Sequence, residues 1–221
     1  MNNIMETVGA VCTQVRNKTS RGTSFRSLLT KIRREFRSKH FDLSIKSHRT
    51  NTIQHDEFYV NAYYDPENDS TYDTPIEVII FHNFDKSFVW DRKHVTDLLI
   101  QVFDAVVHEY RHQSQSIKKD HRIYWKHSSI TKEYLSDPDE IDAYALSIAI
   151  ELCRTIGKYR ALHHMHQISA LSKFKIKTNL ISPNLYAYVK VFKNLNHATL
   201  RRLSKKVYVH LCKIDTEVIF V

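Results

Sequence analysis

Residues 91–112 read DRKHVTDLLIQVFDAVVHEYRH, and no other stretch restricts the fold as strongly. Val95, Leu98, Leu99, Val102, Phe103, Val106 and Val107 alternate in steps of three and one, which at helical periodicity gives a broad apolar face. A face that wide needs cover from several neighbours, so this helix belongs at the centre of its domain. Only three glycines and four prolines occur in 221 residues, too few for a turn-dense all-β fold or a long flexible linker. A chain of this length buries a sizeable core, and one domain with additions is expected.

The other segments are less regular. Residues 1–22 are polar and include NKTSRGTS, which predicts a loosely ordered lead-in. From Ser24, an N-cap residue, Phe25, Leu28, Leu29, Ile32 and Phe36 recur at helical spacing. Arg26, Lys31, Arg33, Arg34 and Arg37 take much of the remaining surface of this basic amphipathic helix. Residues 40–47 alternate as a short strand. EFYVNAYYD (57–65) is aromatic and β-branched, and PIEVIIFHN (75–83) is nearly continuous in apolar residues; both read as strands. The intervening PENDSTYDT reads as a polar hairpin loop, and Asp65, Glu67, Asp69 and Asp73 lack the glycine and spacing of a calcium loop. A second long helix covers about 138–158, with Ile141, Ala145, Ile148, Ala149 and Leu152 facing inwards. Residues 160–221 read as mostly helical and basic.

Cys12, Cys153 and Cys212 are odd in number, widely spaced and without a CxxC, which predicts reduced thiols, a cytoplasmic chain and no cysteine metal site. No apolar run reaches the ~18 residues of a membrane span, and the N-terminus lacks the pattern of a secretory signal, so no membrane partner is expected. The net charge of +9 is unevenly spread. Residues 1–50 carry 11 Lys/Arg against 3 Asp/Glu and residues 151–221 carry 13 against 3, whereas residues 51–150 carry 9 against 18. Either the basic flanks are balanced intramolecularly by the acidic centre, or Arg26, Arg33, Arg34, Arg37, Lys205 and Lys206 build a phosphate-binding face for nucleic acid.

The central helix also carries chemistry. His108 and His112 are the only pair four apart among 14 histidines. On a helix, such a pair differs by about 40° in direction and about 6 Å in height. Two imidazoles can therefore meet one zinc ion at about 2.1 Å each. Glu109 sits one step around the helix, where a carboxylate reaches a water at the ion without ligating the metal. In that role Glu109 is the catalytic general base. A buried apolar setting makes two unligated histidines and a glutamate costly.

A catalytic zinc site needs a third protein ligand. In YLSDPDEIDAYA (134–145), Asp137, Pro138, Asp139 and Glu140 form a helix start, and Glu140 is the expected ligand. The same Asp137/Glu140 spacing also fits a capping box. Asp139 and Asp142 are the alternative ligands or supports for the histidines. His121 and His127 are at the wrong spacing. Tyr134, Tyr144 and the histidines of HHMH (His163, His164, His166) are oxyanion-stabilising candidates, although the histidine cluster also fits a packed or solvent-facing group.

HEYRH followed by DEIDAYA resembles a minimal zincin metallopeptidase of the glutamate-ligand type, the gluzincins, and more loosely short peptidase-like proteins encoded by large tailed bacteriophages. The resemblance covers about residues 55–160. It implies His108, His112 and Glu140 as zinc ligands, Glu109 as general base, a peptide or protein substrate, and an edge strand at about 75–81 that pairs with the substrate. For a phage-encoded chain it implies the host cytoplasm. Two positions depart from the family pattern: Arg111 is charged and calls for an acidic partner such as Asp142, and Tyr144 stands where many gluzincins have aspartate. The expected fold is α+β, with a small, mostly antiparallel sheet on the HExxH helix and a second ligand-bearing helix. Its expected parts are a lead-in over 1–22, a core over 23–160, and a basic helical extension over 161–221 packed on that core. The expected function is zinc-dependent peptide hydrolysis; the alternative is a non-enzymatic nucleic-acid-binding or inhibitor protein with a structural zinc site.

Overall fold

The computed structural model describes residues 1–67, 75–85, 88–119, 131–166, 181–194 and 196–221. It is a mixed α+β protein with two compact units, Met1–Ile123 with Phe220–Val221, and Tyr124–Ile219. The helix bearing Glu140 thus groups with the C-terminal helices rather than with a core ending at residue 160. Residues 68–74 of the expected hairpin loop, with His121 and His127, lie outside the described residues.

The first unit opens with helix α1 (Asn2–Asn17), which replaces most of the expected lead-in. Met5, Val8, Val11, Cys12 and Val15 follow one another in steps of three and one and are completely buried, so the polar remainder is one face of an amphipathic helix. Helix α2 (Phe25–Ser38) starts where Ser24 Oγ accepts a hydrogen bond from the Ser27 amide at 3.3 Å, and buries Leu28, Leu29, Ile32 and Phe36.

On the same helix, Glu35 is buried against Lys18 Nζ at 3.0 Å and Arg34 Nη2 at 3.3 Å. The Lys18 ammonium, by hydrogen bond and charge, outweighs burial and with Arg34 holds the Glu35 carboxyl below its ordinary value. A carboxyl depressed in the folded state adds stability above its unfolded pKa and loses it as pH falls through the folded pKa. Glu35→Gln is therefore expected to lower the urea midpoint at neutral pH, and the gap from wild type should close as pH drops below the ordinary carboxylate range.

Strands β1 (Leu43–Arg49), β2 (Phe58–Tyr64) and β3 (Ile76–His82) form one sheet in the order β1-β3-β2. β3 pairs in parallel with β1, from Leu43 opposite Ile76 to Arg49 opposite His82, and antiparallel with β2. The sheet is mixed, not mostly antiparallel. The expectation that 75–81 is an edge strand is overturned as well: both sides of β3 are occupied by ladder partners, so no substrate peptide can add to it. Its nearly continuous apolar run is that of a central strand, with Ile76, Val78 and Ile80 completely buried.

Helix α3 (Arg92–Lys118) packs on α1, β2 and β3. The Asp91 carboxylate caps it through the His94 amide at 2.8 Å. Leu98, Leu99, Val102, Phe103 and Val106 are completely buried, each worth roughly 1.5–3 kcal/mol on removal from water. Gln101 Oε1 accepts from the Val60 amide at 3.0 Å and so ties the helix to the outer edge of β2. At the opposite edge, Arg33 Nε donates to the Ile45 carbonyl at 2.8 Å. The packing fixes the rotation of α3, and with it the direction of the residues in its later turns.

The second unit contains α4 (Lys132–Ser136), α5 (Pro138–Ile156), α6 (Lys158–His166), α7 (Pro183–Phe192) and α8 (Ala198–Lys213). α5 packs on the other four, and Ile141, Ala145, Ile148, Ala149 and Leu152 are buried as the spacing predicts. Gly157, at φ 81°, ends α5 and allows the reversal into α6. Buried Glu151 secures the start of α7: Ser182 Oγ donates to its Oε2, and Asn184 Nδ2 donates to its Oε1 at 2.7 Å. Glu151→Ala orphans these donors and is expected to destabilise the protein by about 1–3 kcal/mol, read from urea unfolding.

No helix among the described residues is long and apolar enough to cross a membrane. The three cysteines form no disulfide among the described residues, with Cys12 and Cys153 buried and Cys212 exposed.

Candidate metal centre

Because the apolar face of α3 is pinned over four turns, the next turn presents His108 and His112 together. Their Nε2 atoms stand 3.2 Å apart, with ring centroids at 4.9 Å and planes at 70°. Two ligand atoms each about 2.1 Å from one tetrahedral ion stand about 3.4 Å apart, so this spacing fits a shared ion. It also lets one ring donate to the other when no ion is bound. Burial, with the neighbouring His112 adding to it, holds His108 well below the ordinary histidine range. Its imidazole is therefore neutral, with a lone pair to offer. Glu109 follows on the same helix and is itself buried, at 8% exposure.

Glu140 lies in the first turn of α5. Asp137 Oδ1 caps that turn, accepting from the Asp139 amide at 2.8 Å and the Glu140 amide at 3.4 Å. The Asp137 amide donates to the Tyr134 carbonyl at 3.1 Å, which supplies the contact that Glu140 would make in a capping box. Glu140 is instead surrounded by phenols. The Tyr134 hydroxyl hydrogen-bonds to Glu140 and Tyr144; burial first, then the charges of these neighbours, pushes it well above the ordinary tyrosine range. Tyr188 of α7 is completely buried 5.5 Å from the Tyr144 ring, and burial followed by Tyr144, Glu140 and Asp137 raises its phenol also. Both phenols stay protonated and remain hydrogen-bond donors.

His108 and His112 offer two imidazole ligands from the first unit, and Glu140, the expected third ligand, stands in the first turn of α5 in the second unit. Two imidazoles and a carboxylate form a donor set suited to zinc. Asp139 and Asp142, the alternative ligands, stand on α5 with Glu140. Asp142 is buried and paired with Lys206 Nζ at 3.0 Å and His210 Nε2 at 3.3 Å. Arg111 is half-buried on α3. In the HHMH cluster, His163 is exposed and His164 half-buried on α6. Of the basic residues named for a phosphate-binding face, Arg34 is tied to Glu35, Lys206 to Asp142 and Arg33 to the Ile45 carbonyl. These three serve intramolecular contacts.

Tyr188 is the residue that sequence reasoning missed. It lies 48 positions beyond Glu140, in a helix whose SPN start is legible but whose tyrosine fits no motif. No family model matches the chain, and neither a curated protein nor a solved structure matches it.

Proposed function

We propose that this chain is a zinc-dependent peptidase in which His108, His112 and Glu140 hold the metal and Glu109 is the general base. One observation carries the proposal: two histidine Nε2 atoms stand at ligand spacing on one helix, with a buried carboxylate next in sequence to the first histidine. A structural site has no use for that fourth residue; a hydrolase does.

When bound, zinc supplies Lewis acidity for a peptide carbonyl and for water. The rigid packing of α3 keeps both imidazoles aimed at one point, so little reorganisation precedes reaction. Glu109 takes the proton of the attacking water and passes it to the departing amine, as a buried carboxylate with a nearby proton source can. Tyr134 orients Glu140 through its hydroxyl, and Tyr144 extends that support. Tyr134 and Tyr144 are the candidate donors for the developing oxyanion.

Digestion of a diverse peptide library by the full chain tests the proposal. Cleavage should cease when a chelator strips the protein and return when zinc is added back. Cleavage that survives complete metal removal would refute it.

A further inference from the structure

A separate cavity of about 500 Å³ lies in the first unit, between the last turn of α1, residues 19–21 and the first turn of α3. Arg16, Arg21 and Arg92 all border it, with Asn17, Thr19 and Ser20. Neither Arg21 nor Arg92 forms an ion pair among the described residues, whereas their neighbours Lys18 and Lys93 are paired with Glu35 and Asp97. Asp91 is the one acid in the lining, and it is engaged by the amide and ring of His94 at 2.8 and 2.9 Å. The lining therefore carries three cations against one carboxylate.

The site is held in place. Arg16 Nη1 donates to the Val221 carbonyl at 2.6 Å, and its guanidinium lies 4.9 Å from the centre of the Phe220 ring. Its Nε is buried with no hydrogen-bond partner. The Gly22 amide donates to the Trp90 carbonyl at 3.1 Å, and Thr23 forms an isolated bridge with Trp90. Gly22 takes a φ of 81°, which lets the chain turn directly behind Arg21. The 27-residue helix α3 directs its positive end at the same space.

We propose that this cavity binds the phosphate group of a small phosphorylated organic molecule. Several guanidinium forks match the many oxygens and double charge of a phosphomonoester better than a single carboxylate. The volume lies within the roughly 300–1,000 Å³ of small-molecule sites and exceeds what a phosphate alone fills, so the ligand carries an organic group. The inference is independent of the peptidase proposal, since no residue is shared.

The test is a nuclear magnetic resonance titration of the full chain with inorganic pyrophosphate, adenosine 5′-monophosphate and adenosine. The first two should shift the amides of residues 16–23 and 91–95, and adenosine should not. Arg21→Gln with Arg92→Gln removes two exposed guanidiniums and should weaken phosphate-ligand binding about tenfold or more, the loss of charge-assisted hydrogen bonds. Several outcomes would overturn the site: no shifts at millimolar phosphate ligand, equal shifts with adenosine, shifts confined to residues 108–112, or undiminished binding in the double variant. Binding of a DNA oligonucleotide that survives the double substitution, with no response to the small phosphates, would likewise assign the anion affinity elsewhere.

Discussion

Glu109→Gln is expected to lower peptide turnover by about 10²–10⁴ while zinc content and fold are unchanged. The substitution keeps the size of the side chain and its place on α3 but removes the oxygen basicity that water activation needs. Because Glu109 is buried, a neutral amide there adds no solvation cost that would unfold the helix. The comparison uses wild type and variant, both zinc-loaded, on the same peptide mixture, with circular dichroism and elemental analysis as controls. Equal turnover in the two proteins would remove Glu109 from the chemistry.

His108→Ala and His112→Ala are each expected to weaken zinc binding by more than the roughly 10–100-fold that follows from loss of a supporting residue. Tyr134→Phe, which removes the hydroxyl bonded to Glu140, should fall within that smaller range. Competition with a chromogenic chelator orders wild type, these three variants and Glu140→Ala. If the histidine variants bind as tightly as wild type, the ion is held elsewhere. If Glu140→Ala alone retains full affinity, the third ligand needs reassignment.

Much of this arrangement is legible in the amino-acid order because the decisive elements are local. The steps of three and one from Val95 to Val107 place α3 in the interior, and the same period continued for one turn brings His108 and His112 together. Asp137, Pro138 and the acids after them mark the start of α5, and the structure caps it as that pattern predicts. Elements that depend on distant partners were not legible. In α1, Asn2, Asn3, Glu6 and Thr7 mask an apolar stripe whose cover, α3, lies some 90 residues away. The place of β3 between β1 and β2 is set by pairing across the chain, which the order of its own residues does not reveal. Tyr188 approaches the Glu140 turn only because α7 packs on α5, a contact with no local signature.

X-ray absorption at the zinc edge, on the full chain loaded with one equivalent of metal, tests the central claim most directly. The proposed ligands predict a nitrogen and oxygen shell at about 2.0–2.1 Å with imidazole scattering from two histidines, and no sulfur at about 2.3 Å. His112→Ala should reduce the imidazole contribution to one ring or lose the metal altogether. A spectrum dominated by sulfur, or one unaltered by His112→Ala, would contradict the assignment of zinc to this site.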